Sequence, residues 1–198
     1  MDSDRQTKFN EQTTALYAAI GRFVVEFEQM CFAMSNAVLF ALHNEEGLRD
    51  QQLGNAMLAG LTAGPLREMT LSVFAHLYRD DPAGLQIVRD LAARTQQLTT
   101  SRNEIIHSTW FIGWASQEDT DFSRASGMKL KNTKSGPMAM SVSNSVAEFD
   151  RETANAKELA VLWRQLLGCL LSGTAPTNCF NRDLEGVIHP GPQPESAG

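Results

Sequence analysis

The longest periodic stretch of the chain runs from Phe9 to His43, where Leu16, Ile20, Phe23, Phe27, Met30, Met34 and Ala41 recur at three-four spacing with no proline and one glycine. This seam predicts a single long amphipathic helix. A second apolar line through Val24, Cys31 and Val38 widens it, so the helix is expected to be covered on more than one side, by its own chain or by a copy of it. Asn44-Glu45-Glu46-Gly47 supplies the stop, with Gly47 available for a left-handed cap. Leu48 to Tyr78 predicts a helix broken between Gly60 and Pro65, with Leu66, Met69, Val73, Phe74 and Leu77 on the buried face of its second half. Asp80-Asp81-Pro82 is a start signal. The helix it opens, from about Ala83 to Ser108, carries Ile87, Leu91, Leu98 and Ile105 as its apolar stripe.

The period then changes from helical to two. Trp110, Ile112 and Trp114 alternate; Met128 and Leu130 alternate with Lys129 and Lys131; Met138, Met140 and Val142 alternate with small residues. Two or three short strands follow from this, joined by polar turns that include Ser135-Gly136-Pro137. Ser145 and Glu148 match a capping box, and the final helix reaches about Ser172 with Phe149, Ala156, Ala160, Trp163, Leu167 and Leu170 on one face and Gly173 closing it. Beyond Thr174 the chain is rich in proline and glycine. The expected fold is an all-α helical bundle of four to five helices in one domain, residues 1–173, with a small β-hairpin insertion at about 110–144 between the last two helices. Residues 174–198 are expected to be a flexible tail that packs at most in part.

Composition narrows the function classes. With 17 basic and 23 acidic residues the formal charge is −6, which argues against a protein that coats nucleic acid through its overall field. Any such contact must be local. Between Phe122 and Ala147 there is no acidic residue, whereas Arg124, Lys129, Lys131 and Lys134 are present. These four make either a solvated hairpin face or a rim that tracks phosphates. The three cysteines, Cys31, Cys169 and Cys179, lack metal-ligand spacing and fit a reducing compartment. The first residues show no secretory signal and no stretch reads as a membrane span, so the expected location is cytoplasmic.

The candidate chemistry lies at the end of the fourth predicted helical segment, in Arg102-Asn103-Glu104-Ile105-Ile106-His107. Arg102 falls on the stripe between Leu98 and Ile105, where a charge needs an ion pair or an anionic visitor. Asn103 and His107 are four residues apart on one helix face, and the long Arg102 side chain can swing toward them. The bland alternative is a dipole-complementing histidine with Arg102 paired to Glu26, Glu28 or Glu68.

Arg102, Asn103 and His107 resemble the arginine, four to six residues, histidine signature of the HEPN superfamily, in which a polar residue follows the arginine near the end of a helix in an all-α bundle. The resemblance implies a metal-independent endoribonuclease of the toxin or defence kind, with no cofactor, acting on RNA through a composite site at a homodimer interface. It also admits a cognate antitoxin protein as a partner. The catalytic residues it implies are Arg102, Asn103 and His107.

Other chemistries find less support. Glu104 and His107 have the Glu-x-x-His spacing of di-metal bundles, but His43, His76 and His189 follow Phe40, Val73 and Gly186 at that spacing, so the second motif is missing. No phosphate-binding glycine loop, nucleophile elbow or zinc cluster occurs. The remaining alternative is a helical module that binds or regulates a protein or nucleic-acid partner without catalysis.

Overall fold

The structure, a computed structural model, describes residues 3–44, 51–114, 121–133, 136–184 and 186–192. It is mostly helical with a small antiparallel sheet. Helices α1 (Ser3–Asn44), α2 (Gln51–Leu58), α3 (Ala63–Leu77) and α4 (Pro82–Ile106) are followed by strands β1 (Thr109–Phe111), β2 (Arg124–Thr133) and β3 (Gly136–Ser145). Helix α5 (Val146–Ser172), the single turn α6 (Pro176–Cys179) and the short strands β4 (Phe180–Arg182) and β5 (Ile188–Pro190) complete the chain.

The helix limits have local causes. The break between α2 and α3 falls at Gly60, whose φ of 77° no L-residue adopts comfortably. Asp81 accepts the Gly84 N–H at 2.9 Å and so caps α4. At the start of α5 the capping box closes in full: Glu148 accepts the Ser145 N–H at 2.7 Å, and the Ser145 hydroxyl accepts the Glu148 N–H at 3.4 Å. Gly173, at φ 64°, ends α5. The Gly47 stop lies outside the described residues.

Packing divides the chain into two compact units, Met1–Phe27 with Thr100–Asn155, and Glu28–Thr99 with Ala156–Gly198. The second is a helical core in which Met30, Met34, Phe74, Leu91, Leu159, Trp163 and Leu166 are buried. Its polar groups are matched. The Trp163 indole N–H donates to the Thr95 hydroxyl at 3.1 Å, and Arg94 meets Glu158 at 2.8 Å while donating to the Ile188 carbonyl at 3.1 Å. Ile188 and Cys179 are buried here, so the stretch read from composition as a tail contributes α6 and the antiparallel β4–β5 ribbon as far as Pro192. Residues 193–198 lie outside the description. Burial pushes the Cys169 thiol above its ordinary range, with Cys179 beside it adding to the effect.

The first unit is built on the sheet, in strand order β1-β2-β3 and antiparallel throughout. Its core contains Leu16, Phe23, Phe27, Ile105, Phe122, Ala125 and Phe149. Trp110 stacks edge-on to Phe149 with centroids 5.5 Å apart, and Gly127 lies directly beneath its ring, where a Cβ would meet Val142 at 2.8 Å and Trp110 at 3.0 Å. The expected alternation through Trp114 stops short. Gly113, at φ 76°, turns the chain out after Phe111, and Trp114 is 78% exposed.

One expectation is corrected. Helix α1 is long and apolar enough, by length and composition alone, to cross a membrane, although the sequence was read as holding no such stretch. The apolar residues of α1 are spread between polar ones and do not form one uninterrupted run. Leu16, Ala19, Phe23, Phe27 and Met30 on this helix are core residues.

Candidate functional site

The end of α4 is held by the sheet that follows it. A helix leaves its last carbonyls without intrahelical donors, and here side chains supply them. The Asn103 carbonyl accepts the His107 N–H at 3.2 Å and the Lys129 ammonium at 3.2 Å; the Glu104 carbonyl accepts the Ser108 hydroxyl; the Ile105 carbonyl accepts the Trp110 indole N–H at 2.7 Å. A lysine at this position also complements the negative end of the helix dipole. The backbone carrying the candidate residues is thereby fixed.

On this frame Arg102 is half-buried, with its guanidinium carbon 5.6 Å from the centre of the Phe27 ring, a cation-π contact. It also donates to the Asn103 side-chain oxygen at 3.3 Å. His107, one turn beyond Asn103, is exposed, and its imidazole makes no hydrogen bond or ion pair with the described residues. Arg102, Asn103 and Lys129 are therefore gathered at one helix end, with the His107 ring open to solvent beside them. Glu68 is engaged by Arg67.

No family model, curated protein or solved structure matches this chain.

Of the four basic residues of the hairpin, Lys129 and Arg124 have described side chains, and these two lie apart. Lys129 lies on the inner face of β2, half-buried against α4, and is not on a solvated face. Arg124 is drawn to the other end of the sheet, where it donates to the Ser143 hydroxyl at 3.0 Å and carbonyl at 2.8 Å and stands 3.1 Å from Glu148. Its charge serves the α5 cap. Lys131 stands in β2 opposite Met138, and its side chain lies outside the described residues, as does the whole of Lys134.

A pocket of about 190 Å³ lies on the same unit, lined in part by Glu104, Trp110, Asn144, Glu148, Arg151 and Glu152. Three carboxylates against one guanidinium make it a poor seat for phosphate. Among the described residues no group of three or more His, Cys, Asp or Glu side chains is placed to hold a metal ion. Sequence reasoning assigned Phe27 to the core and Trp110 to a strand, and so missed the platform under Arg102 and the indole that seals α4. No local pattern announces either, because both contacts join residues distant in the chain.

Proposed function

We propose that this chain is a metal-independent endoribonuclease with a HEPN-like helical body, acting as a homodimer. The observation that carries the reading is the exposed His107 imidazole, free of hydrogen bonds to the described residues, one turn from the half-buried Arg102 and Asn103. Strand cleavage by the adjacent 2′-hydroxyl needs a base for that hydroxyl, an acid for the leaving 5′-oxygen and positive charge on the phosphorane. In the dimer one His107 takes the 2′-hydroxyl proton as its oxygen bonds to phosphorus. The other gives a proton to the 5′-oxygen as the P–O5′ bond breaks. The products are a cyclic phosphate and a 5′-hydroxyl. Arg102 is suited to two phosphoryl oxygens, and Phe27 holds its guanidinium at the site. Toxin or defence work in the cytoplasm, restrained by an antitoxin, is the biological setting this reading favours.

A second reading has its own support. Leu130 is 75% exposed and Trp114 78%, which favours a module that binds a protein without catalysis. Incubation of mixed cellular RNA with a chelator present decides between them. Wild type is expected to leave cyclic-phosphate ends while His107→Ala and Arg102→Ala, equally folded, do not. No cleavage by wild type, or equal cleavage by the variants, transfers the case to the binding module.

A further inference from the structure

Strand β3 forms one edge of its sheet and carries no charged residue from Gly136 to Ser145. Soluble proteins ordinarily protect such an edge with lysines, bulges or a covering element, since its free N–H and C=O groups invite another strand. Which groups face outward follows from three observations. Pro137 has no N–H to give β2; the Ser145 N–H goes to Glu148; and the Ser143 carbonyl is taken by the Arg124 side chain. Alternation then turns the backbone groups of Pro137, Ala139, Ser141 and Ser143 to the open edge. Ala139, Ser141 and Ser143 are all exposed.

We infer that a second copy of this chain pairs with this edge, β3 against β3, antiparallel and centred on Met140. The strand is complementary to itself in that register. Ala139 faces Ser141 of the second copy, each giving and taking a backbone hydrogen bond. Pro137, which lacks the donor, faces Ser143, whose carbonyl Arg124 already occupies and whose N–H finds the Pro137 carbonyl. On the inner face Met140 meets Met140, and Met138, 48% exposed in the single chain, meets Val142. No like charges are opposed anywhere along the seam, a match that an unrelated charged strand would not offer. Identical antiparallel strands are related by a two-fold axis normal to the sheet, so the contact closes at two copies. The two β2 strands then lie three strand spacings apart, about 14 Å. Both α4 ends held by Lys129 fall on the same side of one six-stranded sheet. In giving the ribonuclease dimer a seam, the inference rests on that reading for its consequence, while the strand geometry stands by itself.

Paired charges at the exposed positions test it. Ala139→Lys with Ser141→Lys sets lysine against lysine across the seam, whereas Ala139→Lys with Ser141→Glu sets lysine against glutamate; both leave the inner face untouched. By sedimentation, wild type and the lysine–glutamate variant are expected at about twice the chain mass of 21.8 kDa and the lysine–lysine variant at the single mass. Mixing the lysine–lysine variant with a glutamate–glutamate counterpart should restore the double mass, which a misfolded variant could not do. Amide exchange at Ala139 and Ser141 should slow only in the dimers. A monomeric wild type, or two charge variants that behave alike, overturns the pairing. RNA cleavage is scored separately: a dimer that does not cut leaves the seam standing and counts against the nuclease.

Discussion

Arg94 and Arg102 stand eight residues apart on α4, and their surroundings differ in kind. Arg94 is held by a carboxylate and a backbone carbonyl, both brought to it from later in the chain, with about a quarter of its side chain exposed. Arg102 lies over an aromatic ring and leans on the amide of its neighbour, with an open imidazole nearby. The first arrangement satisfies a cation in order to join helices and a ribbon. The second sets a cation against an aromatic face and the amide of its neighbour. Position on a helix stripe does not distinguish them; the ring and the amide beside Arg102 do.

The comparison breaks most sharply on activity. His107→Ala is expected to lower RNA cleavage by roughly 10²- to 10⁴-fold, with an unchanged thermal midpoint, as measured by end-labelled product and calorimetry. Arg94→Ala should do the reverse, leaving cleavage intact while lowering stability by about 1–2 kcal/mol in urea titration, because Glu158 is partly solvated and the Ile188 carbonyl loses its donor. Cleavage that falls with Arg94→Ala as far as with Arg102→Ala would erase the distinction. Gly127→Ala sharpens it from the sheet side. The new methyl group collides with Val142 and Trp110, and a loss of about 1–3 kcal/mol is expected. If the Trp110 seal on Ile105 is displaced with it, cleavage should fall further than stability alone requires.

Smaller effects belong to the α5 cap. Ser145→Ala should cost about 1 kcal/mol. The Ser145 backbone N–H and hydroxyl, and then the Arg124 guanidinium, hold the Glu148 carboxyl below the usual glutamate range. A carboxyl depressed in the folded state contributes stability above its unfolded value, about 4.3, and loses that contribution as pH falls through the folded one. Acid titration of urea midpoints should therefore show a sag below pH 4 that Glu148→Gln removes. An identical acid profile in the variant would show that the cap does not titrate.

Much of this could be read from the chain because the signals are local. Asp81, Gly60, Gly173 and the Ser145–Glu148 pair act on backbone groups within a few residues, so their spacing is sufficient evidence. The hairpin was legible as alternation but not as orientation: a period of two says that Lys129 and Leu130 face opposite ways, not which of them meets α4. The lysine meets it, since helix carbonyls offer an ammonium more than they offer a leucine. The burial of Ile188 was invisible, as Leu184, Val187 and Ile188 in an otherwise polar stretch follow no helical or strand period. Of the site, Arg102, Asn103 and His107 were named by spacing, but the ring of Phe27 and the amine of Lys129 reach them from distant parts of the chain.

The sealing of α4 by Ser108, Trp110 and Lys129 also sets an order of events. Synthesis delivers the helix, His107 included, well before Lys129 leaves the ribosome, so the nascent chain carries the residues of the site with its last turn still open to water. The site is finished only when the hairpin folds back. A cell making this protein would thus hold Arg102, Asn103 and His107 for a time before it held their final geometry, and a chain interrupted before residue 129 would never acquire it.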